Sequence, residues 1–208
     1  MAAGGPVLDV ASGHGRHARW FEARGHRVTA LDRDADALAA GGATETIACD
    51  LETDPVAWPV AGRRFAAVVV TNYLHRPLFP FLLDALADDG VLLYETFAVG
   101  NGRFGKPSNP AFLLAPGELL ARCAALSIVA FEDGLVARPQ PASVQRICAT
   151  HAVAPRDARE DSPARRHLLS PATGEEGHKS ARIASHFQHH AHRASRGESS
   201  PVGHPSIP

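Results

Sequence analysis

Three carboxylates and two glycines stand where a nucleoside could be held. Asp9 lies inside the apolar run Val7–Val10 and is followed at once by Ala11, Ser12, Gly13, His14 and Gly15, so VLDVASGHGRHARW reads as a strand entering a glycine loop. Asp32 closes the second apolar run in TALDRD, and Asp50 follows the third in ACDLE. A carboxylate ending the second strand of a doubly wound sheet accepts the hydroxyls of a ribose. Glycines in the loop admit a ligand close to the backbone and permit positive φ. Residues 13–18 also match G-x-G-x-x-G/A, the spacing that seats a dinucleotide pyrophosphate on a helix N-terminus. Asp9 separates the two ligand classes, because a negative charge there repels a diphosphate and attracts the sulfonium and ammonium of S-adenosylmethionine, which carries no phosphate. The same carboxylate is placed to cap the loop through its backbone amides.

Other side chains complete this reading. Ala11 takes the place of a frequent glycine, and Ser12 offers a hydroxyl to the amino-acid end of the ligand. Arg33 can lie flat against adenine. Asp50 can accept from the adenine amino group while Leu51 packs on the ring, with a plain surface-loop role as the alternative for Asp50. Asp34 reads as the cap of the next helix rather than a second ribose ligand. Ligands of open α/β sheets bind outside the carboxyl ends of the strands, and TNYLH lies at such an end. Asn72, Tyr73 and His75 are therefore the candidates beside the reacting atom. His75 is able to take a proton from an acceptor, or else to start a helix bonded to backbone. Tyr73 and Phe97 also suit an apolar wall. His14 and His17 supply no third ligand, so no metal is expected there.

These residues need a scaffold, and hydrophobic periodicity supplies one. Strands are predicted over 7–10, 27–31, 46–49, 65–71, 91–97, 127–132 and 143–151, and helices over 16–24, 34–40, 78–86 and 118–125. The continuous run AAVVV implies burial on both faces, as in the middle of a parallel sheet. The last two strands leave no room for a crossover helix and should pair as an antiparallel hairpin. The predicted class is α/β, a doubly wound, mostly parallel sheet ending in that hairpin. The loop over 98–116, rich in Gly, Pro and Asn, is long for a connection and suits an acceptor-site cover.

Bulk composition narrows the function further. The 208 residues are 45% hydrophobic and 21% charged with a formal net charge of -1, which fits a soluble protein with one core and gives no field for collecting nucleic acid. No apolar run is long enough for a membrane helix and no export signal is read, so a cytoplasmic protein is expected. Cys49, Cys123 and Cys148 are odd in number and flanked by apolar residues, as reduced core thiols would be. Residues 1–153 read as the folded domain. Residues 154–208 read as a disordered tail whose His186, His189, His190 and His192 would bind nickel or zinc only adventitiously.

With these residues in place the chain resembles the class I S-adenosylmethionine-dependent methyltransferases, most of all the small bacterial branch related to tellurite-resistance methyltransferases. The carriers are VLDVASGHGRHARWF, ALDRDADAL, ACDLE, FAAVVVTNYLHRPLF and YETFAVGNGRFGKPSNPAFLLAPGELL, the last being the most distinctive through its GN, GKPSNP and PGEL elements. The resemblance covers about residues 5–153. It implies a seven-stranded sheet, S-adenosylmethionine as cofactor, and methyl transfer to a small molecule. It also implies that Asp9, Gly13, Gly15, Asp32 and Asp50 line the cofactor site, with Asn72 beside the methyl donor. One departure is that only MAAGG and Pro6 precede the first strand, where the family has covering helices, so the site is expected to be open on one side. The competing readings are an NAD(P)-binding oxidoreductase and an adenosyl-binding remnant without turnover.

Overall fold

In the computed structural model, which describes residues 4–151, the apolar runs form one sheet of seven strands. Strands β1 (Val7–Val10), β2 (Val28–Asp32), β3 (Glu45–Ala48), β4 (Phe65–Thr71), β5 (Leu86–Phe97), β6 (Ser127–Val136) and β7 (Ala142–Thr150) lie in the order β3-β2-β1-β4-β5-β7-β6. The pairings among β1 to β5 are parallel. β7 is antiparallel to both β5 and β6. The fold is thus the α/β, mostly parallel sheet with a C-terminal antiparallel hairpin that the lack of a crossover required. The expectations for the tail, the histidines at 186–192 included, lie outside the described residues.

Four short helices cover the sheet: α1 (Arg16–Glu22), α2 (Ala35–Ala40), α3 (Phe79–Asp84) and α4 (Glu118–Arg122). Side chains alternate across each strand. Val7 of β1 and Ala67 and Val69 of β4 therefore meet Ala18 and Phe21 of α1, whereas Leu8, Val10, Val68 and Val70 join Leu82 of α3 and Leu119 of α4. Ala67, Val68 and Val69 have no exposed surface, as the AAVVV run implied. Phe79 stacks on Tyr94 at 5.2 Å between ring centroids, which fixes α3 on β5. All three cysteines are free thiols, Cys123 buried and the other two half-buried.

The structure departs from the sequence reading most in the segment before the fifth strand. The helix predicted over 78–86 stops at Asp84, and Leu86 already pairs with Phe65 as the first residue of β5. Residues 87–90 then bulge opposite Ala66 before Val91 pairs with Ala67. Gly90 is what permits the fold-back: a Cβ there would lie 2.8 Å from the Ala87 nitrogen and 2.9 Å from the Phe65 oxygen. A glycine read as a helix stop is in fact the tight point of a bulge inside a strand. β6 similarly runs past Glu132 to Val136, because Gly134 and Leu135 find partners in Val144 and Ser143.

Candidate functional site

The loop after β1 is built by three consecutive excursions into left-handed backbone: Ala11 at φ 53°, Gly13 at φ 51° and Gly15 at φ 68°. The Gly15 amide donates to the Ser12 carbonyl at 3.0 Å, and the Ser12 amide to the Leu31 carbonyl at 3.0 Å. The two glycines serve different ends. A Cβ on Gly13 would meet nothing within 4 Å, so the space beside it is open. A Cβ on Gly15 would run into the Gly41 carbonyl oxygen and lie 2.5 Å from the Gly41 Cα. Both glycines were expected to make room for a ligand; the bare Cα of Gly15 also lets the start of α1 pack on the end of α2.

The acids divide their roles as well. The Asp32 carboxylate accepts from the Gly13 amide at 2.7 Å through Oδ2 and from the Asp34 amide at 3.0 Å through Oδ1. It braces the glycine loop and keeps further lone pairs for other donors. Asp34 caps α2, accepting from Asp36 and Ala37 at 3.1 and 3.0 Å. Asp50 is exposed and accepts from the Glu52 amide at 2.9 Å. Asp9 is only 1% exposed: its Oδ2 accepts from the Ala18 amide at 3.1 Å, while Oδ1 is buried without a partner among the described residues. Burial pushes its pKa up to about 7 against the opposing pull of the Ala18 amide and of Arg16. Ser12 Oγ, in the loop that follows, is a second buried oxygen without a partner among the described residues.

Beyond the ends of β2, β3 and β4 lies a cavity of about 210 Å3, lined by Ala11, Asp32, Arg33, Asp50, Leu51 and Tyr73, together with Cys49 and Glu52. Five predicted cofactor residues are thus brought to one wall. Asp9, Ser12, Gly13 and Gly15 do not line it; they shape the loop above. A larger cavity of about 720 Å3 adjoins it, sharing Arg33, Glu52 and Tyr73 and adding Asn72, Phe97 and Lys106. Asn72 stands at the end of β4 in left-handed backbone at φ 56°, a conformation asparagine tolerates. Burial, reinforced by the Glu52 carboxylate, pushes the Tyr73 phenol up, so it is a neutral hydrogen-bonding group. His75 lines neither cavity. Its Nε2 is buried without a partner among the described residues, and its side chain does not cap the turn that begins at Arg76.

The residues missed in the sequence are Glu52, Lys106 and Arg16. Glu52 was visible inside ACDLE, but only the return of β4 beside β1 shows that it bridges two cavities. The loop over 98–116 lines the larger cavity through Lys106, Pro107, Ser108, Asn109 and Phe112. Its distinctive sequence elements are its anchors. Buried Asn101 donates to the Pro107 carbonyl at 3.0 Å and accepts from the Ser143 amide at 3.2 Å. Glu118 accepts from Arg76 at 2.8 and 2.9 Å, from Arg122 at 2.7 Å and from the Ala115 amide at 3.0 Å. The Arg76 guanidinium beside it holds the Glu118 carboxyl at about 2. Gln145, wholly buried, ties the Ala115 carbonyl to the Leu119 amide.

Among the described residues no group of three or more His, Cys, Asp or Glu could hold a metal, and no helix is long and apolar enough to cross a membrane. Among solved structures, TehB from Haemophilus influenzae superposes with a TM-score of 0.59 at 16% identity, over 71% of this chain and 57% of that one. A TehB-like SAM-dependent methyltransferase from Corynebacterium glutamicum gives 0.53 at 17% identity, over 73% and 82%. The 1,6-didemethyltoxoflavin-N1-methyltransferase of Burkholderia thailandensis, with bound 1,6-didemethyltoxoflavin and S-adenosylhomocysteine, gives 0.50 at 22% identity, over 70% of each chain. No family model and no curated protein sequence matches the chain. At these identities the likeness establishes the fold, a class I methyltransferase sheet. The chain spans 57% of the length of the Haemophilus structure.

Proposed function

We propose that this chain transfers a methyl group from S-adenosylmethionine to a small molecule. The observation that carries the reading is the acidic cavity beyond β2 and β3, which opens onto Asn72 and Tyr73 at the end of β4. Its lining holds three acids, Asp32, Asp50 and Glu52, against the single cation Arg33. Such a balance repels a diphosphate and accommodates a cationic nucleoside, so charge favours the sulfonium cofactor over NAD(P). The Burkholderia protein, which has the same fold, holds S-adenosylhomocysteine, in agreement with this reading.

When bound, the cofactor supplies an electrophilic methyl whose S–C bond breaks with its electron pair going to sulfur. What the chain must contribute is placement. Asp32, already braced by two amides, would accept the ribose hydroxyls, Leu51 would offer an apolar face to adenine and Arg33 its guanidinium, and Asp50 would accept from the exocyclic amine. Asn72 and neutral Tyr73 orient the acceptor, whose lone pair forms the new bond to carbon. The loop over 98–116 limits water. Positioning of this kind supplies about 7 to 11 kcal/mol of a barrier when alignment is good. His75 is off the cavity wall, so a proton lost by the acceptor passes to solvent rather than to that imidazole.

Calorimetric titration with S-adenosylhomocysteine of wild type, Asp32→Ala and Asp34→Ala tests the reading. Loss of the ribose acceptor should weaken binding by about tenfold or more. Loss of the α2 cap should cost about 1 kcal/mol of stability and leave affinity near wild type. Equal effects on affinity would contradict the assignment. Binding without transfer of a labelled methyl group to any of a panel of small acceptors would favour an adenosyl-binding remnant.

A further inference from the structure

A third cavity of about 360 Å3 continues the row, sharing Asn72, Phe97 and Lys106 with the central one. Its charge is the reverse of the nucleoside pocket: Arg16, Lys106 and Arg146 line it against the single acid Glu95. Arg146 is already neutralised, donating to Glu95 at 2.6 Å and to Glu132 at 2.9 Å. The other two form no ion pair among the described residues. Arg16 reaches His17 Nε2 at 3.4 Å, and its charge acts at longer range on the Asp9 and Glu95 carboxylates. Lys106 makes no hydrogen bond or ion pair among the described residues. The rest of the lining is mixed: Phe97 and Val144 lie side by side on β5 and β7 with Phe104, Pro139 and Pro141, beside the polar side chains of Asn72 and Asn101.

We propose that this cavity binds the methyl acceptor and that the acceptor is an organic acid, an apolar or aromatic body carrying one carboxylate. This rests on the methyltransferase reading only for the word acceptor; the site itself follows from the lining. With Arg146 held by Glu95 and Glu132, Arg16 and Lys106 leave the lining with an excess of positive charge that favours an anion. The aromatic and proline walls call for carbon beside that charge, because a bare inorganic anion would leave them without contact. The order of cavities is also consistent: the cationic end lies away from the pocket that suits a sulfonium nucleoside, so neither ligand repels the other's site.

Ligand-observed NMR titration of the full chain with benzoate, benzamide and inorganic phosphate tests this, alone and with S-adenosylhomocysteine present. Benzoate should bind, with benzamide and phosphate each weaker by about tenfold or more, and Lys106→Met and Arg16→Gln should each weaken benzoate by about the same factor. Lys106 sits in a surface loop, so its variant keeps the test valid if Arg16→Gln misfolds. No benzoate binding, benzamide binding as tight as benzoate, phosphate binding as tight, or unchanged affinity in Lys106→Met would each overturn the proposal. If S-adenosylhomocysteine binds and benzoate does not, the acceptor class is wrong and the cofactor reading survives. If only benzoate binds, the acid site stands and the methyltransferase reading fails.

Discussion

Asp9 is the residue on which sequence reasoning leaned hardest, and its surroundings change what it does. Two roles were expected of it, contact with the ligand and capping of backbone amides; the carboxylate meets the second through the Ala18 amide at the start of α1, and its other oxygen has no partner among the described residues. In the proposed function the discrimination between cofactors rests on Asp32, Asp50 and Glu52, which line the pocket. Burial raises the Asp9 pKa from 3.8 to about 7, so between those values the folded state holds a proton that the unfolded chain has released. Stability attributable to Asp9 therefore falls as pH rises through that window and is level above it. Asp9→Asn removes the titration. The melting temperature of Asp9→Asn minus that of wild type should grow between pH 4 and pH 7, reading about 3.8 and about 7 as its limits, and stay constant at higher pH. A difference independent of pH would mean that Asp9 is solvated or paired.

At the scale of elements, the loop between β1 and α1 shows how one motif carries two duties. Gly13→Ala meets no atom and places alanine in left-handed backbone, a cost of about 1 to 2 kcal/mol, but puts a methyl group into the open space of the loop. Gly15→Ala pays the same strain and also collides with Gly41 of α2. Thermal unfolding and S-adenosylhomocysteine titration of both variants should separate them: Gly15→Ala loses more stability, whereas Gly13→Ala loses affinity out of proportion to its stability. The reverse order would contradict the packing described. Strands β1 and β4, the hairpin and the capping role of Asp34 were legible because each is set by local pattern or by chain length. The contact of Gly15 with Gly41 and the true start of β5 were not, since both depend on residues brought close only by the completed sheet. The same holds for Arg16 and Lys106, which the sequence sets far apart and the fold turns toward one cavity.

For the molecule as a whole, parallel pairing brings the ends of β2, β3 and β4 to one edge and so lines up three cavities whose charge runs from acidic to basic. That polarity is the basis for choosing a sulfonium nucleoside over a dinucleotide, which the G-x-G-x-x-A spacing alone permits. Isothermal titration of the full chain with S-adenosylhomocysteine and with NADH, under one buffer, puts the choice to the molecule directly. Saturable binding of the sulfur nucleoside with NADH at least about a hundredfold weaker is the expected result, a gap of about 2.7 kcal/mol. Tight binding of NADH with no heat from S-adenosylhomocysteine would mean that the glycine loop serves a diphosphate and that the acidic pocket has been misread.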